Sequence, residues 1–334
     1  MKPDDPIRRR RVIDARVPRE PRFSPHTPLG EGGEFDAVRR MLERWGPRAR
    51  RVGDDAAVIT SLGDFALVVS TDTSVENVHF RRDWLSAEEI GYRSAAAALS
   101  DLAAMGARPT GMLVALTIPE SWRSELDGIT DGIGEAAART GTPIIGGDTT
   151  RGTELSLNLT VLGSARDVLL RTSARPGDRV YVTGRLGGPL AALRDLQAGR
   201  TPSAANRRRF AHPAPRIEEG VWLSENGAAA AIDISDGLAA ELGHLAAASR
   251  VAIIVRMEDI PLVDGVSSVE AAGSGEEYEL VVTSPSDIDT ADFKKRFDLD
   301  LTLIGEVAQG AAGVVMTQNG EPVALPAGYL HFTE

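Results

Sequence analysis

The chain has 334 residues, a net charge of −11 at pH 7 and no cysteine. This length favours two domains, the acidity argues against broad nucleic-acid binding, and the absence of cysteine excludes disulfides and thiol chemistry. No apolar run reaches the roughly eighteen residues of a membrane span, and the Arg-rich start is followed by charge and proline instead of a signal-peptide pattern. We therefore expect a soluble cytoplasmic protein that makes no membrane contact.

Residues 1–28 contain a run of four arginines, from Arg8 to Arg11, with several prolines and little apolar periodicity. This composition predicts a disordered Arg/Pro-rich tail, although it would also suit an arm that binds an anionic partner. Order is expected to begin near Gly30.

Strands and helices then alternate in the first half of the chain. Apolar runs and alternation predict strands at 56–59, 65–69, 111–118, 142–145 and 155–163. Helical spacing and C-terminal glycines predict helices at 36–45, 87–105 and 121–140. These elements predict an N-terminal domain of sheet and helices at residues 29–165.

The second half repeats this alternation after a turn at Arg175-Pro176-Gly177-Asp178. Strands are predicted at 179–183, 228–234, 251–255, 279–283, 301–307 and 313–316. Helices are predicted after the Gly-rich loop 184–188, at 215–226, and from 237 to about 248. The fold class is therefore α+β (mixed α/β), with a C-terminal α/β domain at residues 166–334.

Aspartate stands beside Gly, Ser or Thr in five segments that end or interrupt apolar runs. They are Gly53-Asp54-Asp55, Ser70-Thr71-Asp72-Thr73, Ser100-Asp101, Gly146-Gly147-Asp148-Thr149 and Asp233-Ile234-Ser235-Asp236-Gly237. Carboxylates gathered at one place repel each other unless a cation joins them. Oxygen-only ligands suit Mg²⁺, which often shares its coordination sphere with substrate phosphates. The pattern therefore predicts phosphate chemistry.

Each segment alone also has a purely structural interpretation. Taken alone, the first would also suit a simple turn, and the second and fifth would also suit helix N-caps. Asp101 lies in an Ala- and Leu-rich helical run, where an ionised group is costly unless it is paired, bound to metal or turned to solvent. Gly146-Gly147 suits either close approach to a phosphate or a tight hairpin turn, and we expect it at the end of a strand.

Other motifs carry less weight. Residues 132–137 match a loose dinucleotide-binding fingerprint but lie within a helical pattern, so we set the match aside. No P-loop sequence and no kinase catalytic-loop His-Arg-Asp occurs. His79, taken alone, is more often a packed histidine than a ligand.

In the order in which they occur, seven segments resemble the thiamine-monophosphate kinase family, in the ATP-binding superfamily of aminoimidazole ribonucleotide synthetase. The segments are 53–57, 70–80, 100–106, 146–150, 175–178, 233–238 and 275–280, and the resemblance covers about residues 30–334. It implies the two-domain architecture of that superfamily, with ATP as co-substrate and thiamine monophosphate converted to thiamine diphosphate. It also implies a homodimer formed through the N-terminal domains, with ATP between the halves.

The resemblance further implies roles for individual residues. Several Mg²⁺ ions would be bound by Asp55, Ser70, Thr71, Asp72, Asp101, Asp148, Asp233 and Asp236. ATP would lie near Gly147, Asp148, Arg171 and Ser235, and the thiamine end near His79, Glu276 and Tyr329. Asp148 is expected to be the most critical residue, with no dedicated catalytic side chain. The chain departs from the family at Asn77, where Gly is usual, and at Glu277, where Asp is usual.

The acceptor explains why no general base is needed. A phosphate monoester has a second pKa near 6, so it is mostly dianionic at neutral pH and already nucleophilic. The barrier is repulsion between two polyanions, which magnesium ions and Arg171 would reduce. The alternatives are another ATP-using enzyme of the same superfamily, or a non-catalytic regulator that binds nucleotide or thiamine phosphate. The absence of cysteine counts against selenophosphate synthetase and the hydrogenase-maturation dehydratase.

Overall fold

The computed structural model describes residues 26–49 and 52–326. Five strands of this part of the chain form a first sheet in the order β1-β2-β5-β3-β4. All neighbours are antiparallel except β3 and β4, which run parallel. The strands are β1 Ala57–Leu62, β2 Phe65–Val75, β3 Arg108–Ile118, β4 Ile144–Arg151 and β5 Ser156–Ala165.

Three helices belong to this half: α1 Gly33–Trp45, α2 Ala87–Ala104 and α3 Leu126–Arg139. Ser86 and Glu89 form a capping box that starts α2. A methyl group on Gly91 or on Gly132 would collide with the backbone of the facing helix, so α2 and α3 pack at unusually short range. Gly132, part of the discarded dinucleotide fingerprint, therefore serves helix packing in α3.

Seven strands form a second sheet in the order β12-β11-β8-β10-β6-β9-β7, among the described residues. Only β11 and β8 are parallel. The strands are β6 Arg179–Thr183, β7 Ala230–Asp233, β8 Ala252–Arg256, β9 Leu280–Ser284, β10 Leu301–Ala308, β11 Gly313–Gln318 and β12 Glu321–Val323. The helices are α4 Gly188–Gln197, α5 Ala204–Ala211, α6 Ile217–Glu225, α7 Leu238–Ser249, α8 Ser268–Ala272 and α9 Thr290–Phe297.

Helix α2 lies between the two sheets and contacts β2 and β5 on one side and β7 and α6 on the other. One apolar core runs continuously from Val68 and Leu159 through α2 to Leu280 and Phe293. A second core lies under α7 on the other face of the second sheet. Because Asp101 is on α2, it lies where elements of both halves meet.

Two expectations about strand ends were wrong. Residues 70–73 lie inside β2, which pairs with β5 over ten residues, and residues 146–149 lie inside β4. Gly146 and Gly147 lie within β4 and pair with Leu113 and Val114 of β3, so they form no hairpin turn. Backbone pairing extends both strands beyond their apolar residues, because ladder hydrogen bonds do not depend on side-chain polarity.

Shorter elements also differ from the sequence prediction. Residues 120–125 form a 3₁₀ helix after Pro119, so α3 begins at Leu126 and not near residue 121. Helices α5, α8 and α9 and strand β12 were not predicted, because they are short and have weak apolar periodicity.

The proposed division at residue 165 lies between the last strand of the first sheet and the first strand of the second. The predicted tail 1–28 lies almost wholly outside the described residues. Within residues 26–49 and 52–326, no helix has the length and apolarity needed to cross a membrane.

Candidate active site

Three aspartates from distant parts of the chain converge. Asp55 lies in the bend before β1, Asp101 on α2 and Asp233 at the end of β7. One carboxylate oxygen from each lies within 4.8 Å of the others. Asp55 and Asp233 are buried and Asp101 is half-buried. We call these residues the acidic trio.

Hydroxyl groups orient two members of the trio. Ser70 Oγ donates to Asp101 Oδ2 at 2.5 Å and lies 3.1 Å from the carbonyl oxygen of Asp55. Ser100 Oγ donates to Asp233 Oδ2 at 2.6 Å. These contacts place a predicted ligand, Ser70, directly beside the trio.

Arg171 is the cation next to the trio. Its Nε donates to Asp55 Oδ2 at 2.9 Å and its Nη2 to Asp55 Oδ1 at 2.5 Å, a two-point contact. Its backbone N–H donates to Asp54 Oδ1 at 3.2 Å. Burial lowers the pKa of Arg171, but the charge of Asp55 and this contact outweigh burial, so the pKa lies above its ordinary value. Arg171 therefore stays charged.

One arginine does not balance the surrounding carboxylates. Burial, and then the charges of Asp233 and Asp55, raises the pKa of Asp101 well above its ordinary value. Burial and Asp55 likewise raise the pKa of Asp233 well above normal. The pKa of Asp54 rises to about 6 through burial and the charge of Asp55. Excess negative charge held in a buried place is typical of a functional site.

The donor set fits a hard divalent cation. The trio offers carboxylate oxygens with hydroxyls beside them, and no sulfur or imidazole ligand is among its members. Magnesium prefers such oxygen ligands, and a cation would remove the repulsion that raises these pKa values.

A cleft of about 680 Å³ opens next to the trio. Its polar wall includes Asp72, Asp101, Arg171, Asp233, Ser235 and Asp236. Its apolar wall includes Phe80, Trp84, Ile90, Leu190, Phe210 and Tyr278. The walls come from β2, α2, α4, α5 and the loop 273–278, so both halves of the chain build it. A ligand with a charged end and aromatic rings would suit these walls.

Two predicted thiamine-side residues line this cleft. His79 Nδ1 accepts from the Val75 backbone N–H at 3.1 Å, so the proton of the neutral ring is on Nε2. Glu276 forms an ion pair with Arg93 of α2, which is buried and stacks over the Phe210 ring at 4.3 Å. Tyr329, the third predicted residue, lies outside the described residues.

The cleft wall contains backbone in the left-handed region. Asn77 has a φ of 62°, a conformation that Gly and Asn adopt most readily. This conformation explains why Asn replaces the family's usual Gly here. Glu276 and Tyr278 have φ values of 59° and 52°, which side chains of their size rarely adopt.

Three other predicted ligands line the cleft next to the trio. Asp72 lines the cleft, and its charge contributes to the raised pKa of Asp101. Asp236 and Ser235 also line the cleft, and both contact Glu241 of α7: Ser235 Oγ and the Asp236 backbone N–H donate to Glu241 Oε1 at 3.0 Å. Burial raises the pKa of Glu241 to about 7.

Gly147, Asp148 and Thr71 are not brought to the trio within one chain. Asp148 lies on edge strand β4, and register through Ala115 and Asn158 places it three strands from Thr73. At about 4.8 Å per strand, that separation is about 14 Å. Thr71 is exposed and its Oγ accepts from Thr160 on the sheet face opposite to α2.

Arg93, Tyr278 and Glu241 were missed. Arg93 carried a usable signal, because a charged residue within the Ala-rich run of α2 is as unusual as Asp101. Glu241 carried none, since its position on α7 resembles an ordinary helical surface.

Residues 53–165 match the family described as AIR synthase related protein, N-terminal domain, and residues 175–318 match its C-terminal domain. Fold and site thus define a two-domain protein of the AIR synthase related class, and the predicted fold class is confirmed.

Similarity to full-length relatives is more specific. Thiamine-monophosphate kinase of Escherichia coli K12 is 35% identical over 326 residues, covering 90% of this chain and 98% of the relative. A structure of AaThiL complexed with AMPPCP and TMP has a TM-score of 0.78, at 29% identity and with 91% and 97% coverage. The kinase from Stenotrophomonas maltophilia K279a has a TM-score of 0.71 at 36% identity, with 87% and 98% coverage. The chain belongs to the thiamine-monophosphate kinase family, which confirms the resemblance seen in the sequence.

Proposed function

We propose that the chain transfers the γ-phosphoryl group of ATP to thiamine monophosphate and so forms thiamine diphosphate. The acidic trio beside the cleft is the observation that carries this proposal, since it offers a cation site where two polyanions must meet. The relatives named above are thiamine-monophosphate kinases, and one solved relative holds AMPPCP and TMP. A cytoplasmic location stays part of the proposal.

Magnesium is the proposed cofactor. Asp55, Asp101 and Asp233 would hold it, with Ser70, Asp72 and Asp236 nearby. When bound, magnesium neutralises phosphate oxygens and stabilises charge on the leaving group. Arg171 adds a permanent positive charge beside Asp55. The acceptor phosphate is nucleophilic as its dianion, so the described site needs no side chain to remove a proton.

The apolar wall suits the thiamine end. Thiamine carries a positively charged ring, and the aromatic faces of Phe80, Trp84 and Phe210 attract such cations. Glu276 adds a carboxylate whose direction is set by the pair with Arg93. His79 and Tyr329 are retained as proposed contacts.

A homodimer accounts for the ligands left out of the trio. The face of the first sheet opposite to α2 carries Thr71, Thr73 and Asp148, together with Leu113 and Ile145, which are 38% and 56% exposed. Two copies packed through this face could bring Asp148 of one copy towards β2 of the other. Asp148 and Gly147 would then join the ATP site from the second subunit.

Leu113→Lys should convert the dimer to a monomer in light scattering and reduce turnover.

A coupled ADP-release assay with thiamine monophosphate, ATP and Mg²⁺ tests the function. ADP release that depends on thiamine monophosphate, and stops when EDTA removes the metal, is expected. Tight binding of thiamine monophosphate without ADP release would instead support a regulator, and ADP release with a different acceptor would support another enzyme of the superfamily.

A further inference from the structure

Next to the cleft lies a second group of buried carboxylates that the proposed chemistry does not use. Glu277 and Glu279 are 4% and 1% exposed, and they alternate along the chain with the cleft residues Glu276 and Tyr278. Their side chains point away from the cleft, towards α4, α5 and the Gly-rich loop 184–188.

Glu277 joins three parts of the cleft wall. Its Oε1 accepts from the Gly187 backbone N–H at 2.6 Å, at the start of α4, and from Ser274 Oγ at 2.6 Å. Its Oε2 accepts from Arg209 Nη2 of α5 at 2.9 Å. Leu190 of α4 and Phe210 of α5 both line the cleft. One carboxylate therefore ties the loop 273–278 to two helices of the binding wall.

The loop 273–278 contains strained backbone that several contacts hold in place. Glu276 and Tyr278 are both in the left-handed region. The Glu276 N–H donates to the Ser235 carbonyl oxygen at 2.6 Å, and the Tyr278 N–H to that of Ile234 at 2.9 Å. Such backbone persists only where surrounding contacts hold it. The Glu277 side chain supplies that hold on the side facing away from the cleft.

The Gly-rich loop is shaped around the same group. A Cβ at Gly188 would lie 2.4 Å from Arg209 Cδ, and one at Gly184 would lie 2.4 Å from Glu279 Oε1. The two glycines therefore leave room for the buried charged side chains of Arg209 and Glu279.

We propose that Glu277 is a positioning residue, whose carboxylate holds the loop 273–278 against α4 and α5 so that Glu276 and Tyr278 face the thiamine end of the substrate. This inference rests on the proposed function for its substrate. It assigns no contact between Glu277 and the substrate.

Steady-state kinetics of Glu277→Gln test the proposal. Loss of charge-assisted hydrogen bonds should raise KM for thiamine monophosphate about tenfold or more, with kcat changed by less than about threefold. Glu277→Asp keeps the charge but shortens the reach to the Gly187 N–H, so it should show a smaller rise. Ser274→Ala removes one donor and serves if Glu277→Gln does not fold. Glu225→Gln, at an exposed glutamate ending α6, is the matched control.

The pH dependence of KM for thiamine monophosphate is a second test, because a residue that only stabilises the fold would not change it. Burial raises the pKa of Glu277 to about 7, against the lowering influence of Arg209, Ser274 and Gly187. Arg209 also contacts Glu279, which in turn pairs with Arg216. As pH rises from 6 to 8, KM should fall more in the wild type than in Glu277→Gln. The titration of the substrate phosphate is common to both proteins and cancels.

Amide hydrogen exchange separates this inference from the proposed function. Glu277→Gln should speed exchange at Gly187 about tenfold, with strands β6 and β9 still protected. Unchanged exchange there, or unchanged KM in a folded variant, would overturn the positioning role. A fall in kcat with equal rises in KM for ATP and for thiamine monophosphate, together with faster hydrogen exchange throughout the protein, would also overturn it. A wild type that exchanges as expected but does not turn over thiamine monophosphate would contradict the proposed function alone.

Discussion

The two groups of buried carboxylates in this protein are built from the same chemistry but balanced differently. In the acidic trio, three aspartates have one guanidinium beside them, that of Arg171, which leaves a formal charge of −3 + 1 = −2. In the arginine-paired group, Glu277 and Glu279 contact Arg209 and Arg216, which gives −2 + 2 = 0 for these four residues, with Glu219 a further 3.6 Å from Arg216.

The difference appears in how readily each carboxylate ionises. The pKa values of Asp101 and Asp233 are raised by burial and neighbouring aspartates. Burial also raises the pKa of Glu279, but the charge of Arg216 and its hydrogen bonds outweigh burial and lower it. At Glu277 burial outweighs Arg209 and raises the pKa to about 7. Burial alone therefore does not distinguish a functional carboxylate from a structural one. A buried cluster with more carboxylates than arginines is a place where a cation fits. A buried cluster whose carboxylates are paired with arginines holds neighbouring elements together.

Replacing a trio member should have the largest effect on activity. Asp233→Asn should lower turnover about a thousandfold, because metal stabilisation of phosphoryl transfer amounts to several kcal/mol and each 1.4 kcal/mol is tenfold. The unfolding temperature of the metal-free protein should not fall, since the change removes like-charge repulsion. Kinetics and thermal unfolding with and without Mg²⁺ are the measurements.

Asp264→Asn, at an exposed aspartate with no role in the cleft, is the control for that substitution. The Mg²⁺-induced rise in unfolding temperature should disappear in Asp233→Asn and persist in the control. A variant that loses stability but keeps turnover would reverse the assignment of the trio.

Breaking the arginine-paired group should lower stability and leave the response to Mg²⁺ intact, which is the reverse of the result expected for the trio. Glu279→Gln removes the nearer of the two carboxylates beside Arg216, with Glu219 left at 3.6 Å, and should lower the free energy of unfolding by about 3 kcal/mol. Urea denaturation measures the loss. The folded variant should keep its Mg²⁺-induced stabilisation, because Glu279 does not line the cleft. If the Mg²⁺ response vanished as well, the two groups would not be independent.

His244 reports on the charge balance beside the trio. Burial, and then Arg171, lowers its pKa from 6.5 to about 4, while Asp55 acts in the opposite direction. Between pH 4 and 6.5 the unfolded chain therefore binds more protons, so stability is complete above pH 6.5 and is lost as pH falls towards 4. At about 1.4 kcal/mol per pH unit, the loss is about 3 kcal/mol.

Comparing wild type with His244→Phe isolates that contribution. The difference in unfolding free energy between the two proteins should change by the stated amount from pH 7 to pH 4. A pH-independent difference would mean that the ring is already accessible to protons in the folded protein.

The smallest effect is expected away from both groups. Ser86→Ala removes the N-cap of α2, where Ser86 Oγ accepts from the Glu89 N–H, and should cost about 1 kcal/mol. Thermal unfolding measures it, and KM values should stay at wild type. A large loss of turnover would show that α2 shifts Asp101 when its first turn loosens.

Much of the site could be predicted because its residues carry local signals. Asp55, Asp101 and Asp233 each stood out as an acid against an apolar or glycine-containing background. Asp148 stood out in the same way, yet it lies on an exposed edge strand. The pattern of residues does not distinguish a carboxylate that converges within one chain from one that, in the proposed homodimer, would face a second copy. Arg93 and Glu277 were not predicted as site residues, because their partners Glu276 and Gly187 are 183 and 90 positions away.

The sequence by itself determined the class of fold, the family and a set of candidate oxygen ligands, because apolar periodicity and Asp–Gly/Ser/Thr segments are local properties. The tertiary structure alone decided which carboxylates converge and which are neutralised by arginine. That decision depends on α2 lying between two sheets, which brings residues separated by 132 positions, Asp101 and Asp233, to within 4.8 Å of each other. Electrostatic energy depends on distance in space and on burial, and neither can be read from spacing along the chain.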